Sequence, residues 1–426
     1  MSLDVHLYGE RVGTLFSAGD NDYRFAYDTD LVETIGTGQG LLSNSLPVRR
    51  EPFSAETTQA YIEGLLPEGP RRKRMGKELE LDQTDGYLMI AELGRDCPGA
   101  VTFVPEGQEI EGKGPEEIRW LSEDELAELV KPPPPAYFTE VEGRMRAALP
   151  GVRHKLSLVR DEQNDRWGWP EAGVPSTHVI KPETGEYPEH VANEMFCMSI
   201  FRQVGLRVAK ATVEEIGGRR CLVSPRYDRV GEGLQAKRLH AETFVQALGI
   251  SPYGEEETEE GEAPDFAEST GLLSAVGRGD DTVNLLTIAF ANYIVGNGDA
   301  HGRNFNLVNY DRTSVAEDPG KRWRIAPLTD LTSTVVYDDP INSGMVIAED
   351  YMEMVYLLEL AEVCEECEFD FELLRGMASM TASRIGKAVE TLATRAAKEG
   401  WYEPVVAKIT ELVSDRAFGL GAEVEY

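Results

Sequence analysis

Four consecutive prolines, Pro132–Pro135 in the run KPPPP (131–135), constrain this chain more than any other stretch. Proline fixes φ and has no amide N–H, so neither an α-helix nor a central strand crosses the run. It favours an extended, stiff spacer, and a domain boundary is expected nearby. A chain of 426 residues is long enough for two or three domains, each with its own core.

The periodicity differs along the chain. LDVHLYGERVGTLFS (3–17) alternates apolar and polar residues around a Gly9-Glu10 turn, which predicts an opening β-hairpin. Residues 55–80 read as helical, broken at Pro67 and Pro70, and GAVTFVPEG (99–107) as a strand. The polar stretch 106–117 reads as a linker or loop, and 121–130 as a short amphipathic helix. After the prolines, HKLSLV (154–159), THVIKP (177–182), VAKATVEEI (208–216) and RRCLVSPRYD (219–228) have strand character. HVANEMFCMSIFRQVGL (190–206) lies among them with helical spacing and ends at Gly205. The acid-rich GEEETEEGEAPDFAE (254–268) predicts an exposed loop. From residue 269 the signal is helical, notably over 281–297, 371–397 and 403–417. A β-rich unit, a second β-rich unit carrying one helix and a helical unit predict an α+β, two-lobed enzyme with a cleft between the lobes.

The 75 acids against 42 bases, net −33, argue against direct non-specific binding to nucleic acid, which requires a basic footprint. Any nucleic-acid role must pass through a basic partner. No stretch reaches the ~18–20 apolar residues of a membrane span. The start MSLDVHLYGERVG lacks the basic and apolar regions of a secretory signal, so a cytoplasmic location is expected. The five cysteines supply one close pair, Cys364 and Cys367 in CEEC. With no second pair at metal-site spacing, reduced cysteines are the expectation.

The chemistry concentrates in GNGDAHGRNF (296–305). Phosphoryl transfer needs a carboxylate to position a hydroxyl, oxygen ligands for a metal, and a cation on the phosphates. Asp299 and Asn304 are separated by four residues, the spacing of a protein-kinase catalytic loop. Asp330, in IAPLTDLTS (325–333), supplies the downstream carboxylate such a site requires. His301 is expected to orient the loop by hydrogen bonding. Lys181 ends a strand and can project its ammonium into a cleft. Glu194, thirteen residues on, can pair with it as strand lysine and helix glutamate do in kinases. ALPGVRHK (148–155) is no G-x-G-x-x-G match, yet backbone amides from Gly151 through Val152, Arg153 and His154 to Lys155 can cradle phosphates.

With these stretches assembled, the chain resembles the HipA family of bacterial serine/threonine kinase toxins from type II toxin–antitoxin modules. The resemblance rests on SNSLPV (43–48), LLPEGPRRKRM (65–75), ELGRDCPGAVTFVPEG (92–107), THVIKP, NEMFC (193–197), RYDR (226–229), GNGDAHGRNF and PLTDLTS, in the family's order. It implies a protein-kinase-like fold with an N-terminal β-rich subdomain (1–107), a linker and short helix (108–145), a β-rich lobe (146–235) and a helical lobe (236–426). It also implies ATP and Mg²⁺ as cofactors and a protein serine or threonine as acceptor. Asp299 is then the catalytic aspartate, Asn304 and Asp330 hold Mg²⁺, and Lys181 contacts the phosphates. The connector SPRYDR (224–229) binds adenine through the main chain, with Pro225 giving its carbonyl and Tyr227 its amide.

Two positions depart from the family. Ala148 stands where a serine commonly undergoes silencing autophosphorylation, and Pro225 where a glutamate is common. By resemblance the target is an aminoacyl-tRNA synthetase and the partner a helix-turn-helix antitoxin that binds operator DNA. Two alternatives remain open. One is a kinase-fold co-repressor that transfers nothing; the other is a small-molecule or lipid-type kinase, whose loops share the D-x-H-x-x-N spacing.

Overall fold

The computed structural model describes residues 2–19, 22–108, 110, 117–131, 154–171, 174–185, 187–231, 235–251, 264–316, 323–338, 346–347, 350–351 and 369–425. Much of the proline run, the loop up to Arg153, most of the acidic stretch and the CEEC pair lie outside them. Among the described residues, no helix is long and apolar enough to cross a membrane.

The chain opens with β1 (Ser2–Leu7) and β2 (Glu10–Gly19), paired antiparallel. Tyr8 and Gly9 make the turn between them, both at positive φ, so the turn falls one residue earlier than Gly9-Glu10. β3 (Asp22–Tyr27) follows, then α1 (Thr29–Ile35), α2 (Ala55–Glu63), α3 (Gly69–Glu78), α4 (Gly86–Leu93) and β4 (Val101–Pro105). The four strands order β3-β2-β1-β4. Alternate residues such as Val5, Leu7, Leu15 and Phe25 point into a core shared with Tyr61, Ile62, Met89 and Ile90 of the helices. Pro70 does not break a helix. It sits in the first turn of α3, where its missing N–H has no intrahelical partner to lose.

Next come β5 (Ile118–Trp120), α5 (Glu123–Leu129), β6 (Leu156–Asp161), β7 (Arg166–Pro170) and β8 (His178–Pro182). α5 starts at a Ser122/Glu125 capping box. Then α6 (His190–Gln203), β9 (Thr212–Ile216), β10 (Arg219–Pro225), β11 (Arg229–Val230), β12 (Lys237–Arg238), β13 (His240–Thr243) and α7 (Phe244–Leu248) follow. A six-stranded sheet has the order β5-β7-β6-β8-β10-β9. It buries Leu156, Leu158, Ile180 and Val223 against Leu126 and Leu129 of α5.

The rest of the chain is mainly helical. α8 (Phe266–Val276) begins inside the stretch expected to be an acidic loop, because Asp265 and Glu268 form a capping box at its start. α9 (Gly279–Val295) precedes β14 (Asn306–Asn309), β15 (Trp323–Ile325), β16 (Val346–Ile347) and β17 (Asp350–Tyr351). α10 (Phe371–Glu399) and α11 (Pro404–Glu425) close the chain. α10 buries Leu374, Met377, Ala378, Thr381, Ala382 and Ile385, one face at helical spacing, and packs against α11, α6 and α9.

By contact the chain forms two units. One comprises Met1–Pro182, Glu215–Glu262 and Leu307–Arg322; the other comprises Glu183–Glu214, Ala263–Asn306 and Trp323–Tyr426. The first is threaded by returning segments. Val315 packs into the core of the opening sheet, and its amide donates to Glu10 Oε1 at 3.1 Å.

Buried polar pairs interlock the first unit. Glu242 on β13 accepts from Ser43 Oγ (2.5 Å) and from Asn44 Nδ2 (2.6 Å) of the SNSLPV motif. A second cluster joins GRDCPG (94–99) to RYDR. Arg226 chelates Asp228 through Nε (2.9 Å) and Nη2 (2.7 Å), and the Gly99 amide donates to the same carboxylate at 2.7 Å. Asp96 accepts from Arg229 (3.0 Å), Arg238 (3.2 Å) and Ser176 Oγ (2.6 Å). The neighbouring guanidiniums hold the Asp96 and Asp228 carboxyls low against the upward push of burial.

Candidate active site

From Leu285 to Val295 α9 is buried at every residue except the half-buried Tyr293, so its C-terminal half is a firmly packed support for the loop that follows. It stops at Gly296, which takes the left-handed conformation at φ 67°. The Gly296 and Asn297 amides then bond back to the carbonyls of Tyr293 and Asn292. The chain leaves the helix as Asn297–Asn304.

This segment is ordered by its own side chains. Asn297 is buried; its Nδ2 donates to Asn292 Oδ1 at 2.8 Å and its Oδ1 accepts from the Asp299 amide at 3.2 Å. The Asn304 amide donates to the His301 carbonyl at 2.9 Å, closing the turn. Asn304 Nδ2 donates to the Asp299 carbonyl at 2.6 Å. That bond fixes which end of the amide is nitrogen and leaves Oδ1 as the end a hard cation takes. His301 Nε2 lies 3.6 Å from Asp299 Oδ1. The turn therefore assembles Asp299, His301 and Asn304 as one group.

Asp330 lies on a separate segment of the same unit, at φ 55°. Non-glycine residues rarely adopt this region, and they persist there where surrounding contacts over-determine the backbone. Upstream, Leu328 bridges Val208, with the Leu328 amide bonding Arg207 O and the Ala209 amide bonding Leu328 O, each at 2.9 Å. Downstream, Ser333 N donates to Asn193 Oδ1 and Asn193 Nδ2 to Ser333 O, both at 2.8 Å. Thr334 N donates to Gly296 O at 2.9 Å, and the Gly298 amide donates to Thr334 Oγ1 at 2.8 Å. The segment bearing Asp330 is thus tied both to α6 and to the backbone just before Asp299.

Glu194 also belongs to this unit, buried on α6. The other expected residues lie in the first unit. Lys181 is half-buried on β8 opposite Leu222 of β10, and Pro225, at the end of β10, stands opposite His178. β8 and β10 therefore carry Lys181 and the SPRYDR connector side by side. The Arg226 amide bonds Thr177 O at 2.9 Å, while Arg226 and Arg229 anchor the connector in the buried cluster. Burial raises the Tyr227 hydroxyl well above its ordinary range, so that residue stays neutral.

Of the expected phosphate cradle, Gly151, Val152 and Arg153 lie outside the described residues. His154 Nε2 lies 3.2 Å from Leu129 O. Burial pushes its pKa down to about 4, with added repulsion from Arg71, Arg74 and Arg219, so its ring is neutral at pH 7. Lys155 precedes β6 and is half-buried.

Among the described residues no group of three or more His, Cys, Asp or Glu side chains is placed to hold a metal. An amide oxygen and one carboxylate fit a magnesium ion bound together with substrate phosphates and water. Cys97, Cys197 and Cys221 are buried and unbridged, and burial raises the Cys97 and Cys197 thiols. The residue pattern alone does not single out Asn193, Asn297 or Thr334. Asn193 stands beside Glu194 in NEMFC, and Thr334 directly follows PLTDLTS, so nearness to those motifs is the signal that could have found them.

A family model described as the HipA-like C-terminal domain matches residues 147–399, and one described as the HipA N-terminal domain matches 3–104. The protein Y4mE of Sinorhizobium fredii is 33% identical over 344 residues, covering 79% of this chain and 78% of its own. The serine/threonine-protein kinase toxin HipA of Shewanella oneidensis is 25% identical over 406 residues, covering 91% and 88%. HipA in the solved complex of Shewanella oneidensis HipA, HipB and operator DNA matches with a TM-score of 0.76 at 23% identity, over 99% of this chain and 96% of that one. That likeness establishes the α+β fold, strand-rich at the N-terminal end and helical at the C-terminal end. With both family models matched in order and the fold shared end to end, the chain belongs to the HipA family.

Proposed function

We propose that this protein is a serine/threonine protein kinase toxin that transfers the γ-phosphate of ATP to a protein hydroxyl. The acceptor is an aminoacyl-tRNA synthetase, and a helix-turn-helix antitoxin neutralises the kinase. The observation that carries this reading is the 297–304 turn. Its internal bonds hold the Asp299 carboxylate, the His301 ring and the Asn304 amide oxygen in one constellation at the end of a rigid helix.

In this reading Asp299 accepts the hydrogen bond of the acceptor hydroxyl and takes its proton as the oxygen attacks the γ-phosphorus. The bond from that phosphorus to the β–γ bridging oxygen breaks, and ADP leaves. His301 orients the Asp299 carboxylate. Asn304 and Asp330 would hold Mg²⁺, which when bound offsets charge on the β- and γ-phosphates. Lys181 and Lys155 supply cations to the nucleotide phosphates. Main-chain atoms of Pro225 and Tyr227 receive adenine.

The relative named as a kinase toxin supports the activity, and the solved complex with HipB and operator DNA supports an antitoxin partner. The net charge of −33 fits DNA contact made by that partner rather than by this chain.

The test is transfer from γ-labelled ATP with Mg²⁺ to proteins of a bacterial extract, beside Asp299→Asn. We expect one labelled extract protein with the native chain, and a loss of about a thousandfold or more in rate with the variant. Equal labelling by both would sink the assignment. Nucleotide binding without transfer by the native chain would favour the co-repressor reading.

A further inference from the structure

Asp299 and Asp330 lie on different segments, yet phosphoryl transfer requires their carboxylates to hold one spacing through the reaction. Neither segment is a regular element at that point, and Asp330 has a left-handed backbone that its surroundings must hold. Two side chains tie its segment down on the C-terminal side. Thr334 is buried, and its hydroxyl oxygen accepts from the Gly298 amide, one residue before Asp299. Asn193 is fully buried on α6; it exchanges a pair of hydrogen bonds with Ser333 and donates a further one to Tyr337 Oη at 3.1 Å. The amide of Asn193 thereby occupies the place of a strand partner for Ser333.

We propose that Thr334 and Asn193 are positioning residues that set Asp330 against Asp299, Thr334 by joining the two segments and Asn193 by fixing them to α6. This rests on the kinase reading above. Neither residue touches the reacting atoms. Each acts through backbone beside a residue that does, Thr334 through Gly298 next to Asp299 and Asn193 through Ser333 three residues beyond Asp330, so its loss misplaces the metal carboxylate without changing its chemistry.

Thr334→Val separates the role from simple packing, because it keeps the shape and removes the acceptor of Gly298 N–H. Thr334→Ser restores the hydroxyl. Asn193→Leu removes the tie of the same segment to α6. Each variant is first melted by circular dichroism and then studied where it is folded. Mn²⁺ binding is read by electron paramagnetic resonance with a non-hydrolysable ATP analogue, and kcat and KM for ATP by γ-phosphate transfer.

We expect Thr334→Val and Asn193→Leu to weaken Mn²⁺ binding and lower kcat by about tenfold to a hundredfold, with KM for ATP within about twofold of the native value. Thr334→Ser should return both to near native. Native Mn²⁺ affinity and native kcat in folded Thr334→Val would overturn the proposal, as would a rise in KM alone. If the native chain binds Mn²⁺ and nucleotide but transfers nothing, the kinase reading fails, while the positioning claim is still decided by the Mn²⁺ titration.

Discussion

Glu242 is a carboxyl group in a place that resists ionisation. Burial raises its pKa from 4.5 to about 7, and the donors Ser43 and Asn44 counter this only in part. Between those two values the native state holds a proton that the unfolded chain has released. Its contribution is therefore fully present below pH 4.5 and lost as pH rises to about 7. His240 and His154 are buried with pKa values pushed down to about 4, so each gives the opposite slope between pH 4 and 6.5. Glu242→Gln isolates the carboxyl, since a glutamine can re-form the bonds to Ser43 and Asn44. Urea midpoints followed across pH should show the variant gaining on the native chain from pH 4.5 to 7, by on the order of 3 kcal/mol at most. A constant difference would refute this. In the sequence Glu242 is one glutamate among many. Its partners lie some two hundred positions away, so no local pattern could single it out, whereas the Asp299–Asn304 spacing is local and could be read directly.

At the scale of elements, the proposed chemistry depends on where α9 stops. A Cβ on Gly296 would need a left-handed backbone and would lie 2.3 Å from Val335 Cγ2. Gly296→Ala should cost about 1–3 kcal/mol in urea unfolding and slow transfer, because Val335 adjoins Thr334. Gly279→Ala, in the first turn of the same helix with open space around it, should change stability by less than about 0.5 kcal/mol. Equal effects would show that the stop at Gly296 is incidental. Many elements are legible from their apolar pattern: α10 by one buried face at helical spacing, β1 and β2 by alternation, and α6 and α9 by longer runs buried on most sides. The exceptions have physical causes. β7, RWGWP, escapes notice because arginine, glycine and proline in so short a run hide its pairing to β5 and β6. The start of α8 is hidden because Asp265 and Glu268, which look like loop acids, are its cap.

For the whole molecule, the order of α and β character along the chain is readable, but the way segments return is not. Arg312 is almost fully buried between α9 and β15 in sequence, and Val315 enters the core of the first sheet. Such contacts leave no periodic trace. The cluster of Asp96, Asp228, Arg226, Arg229 and Arg238 has the same character: five charged groups from two distant stretches, nearly all removed from water. A buried charge that loses its partner costs about 3–5 kcal/mol, so neither stretch is comfortable without the other. The covalent connection between them is then largely redundant. Expressed as two polypeptides, 1–108 and 117–426, the protein should assemble as a heterodimer held by what is now its interior, and one tagged half should retrieve the other. Asp96→Ala with Asp228→Ala should abolish retrieval, and two soluble halves that ignore each other would refute it. A gene for such a protein could be cut in two at that point and still specify one molecule.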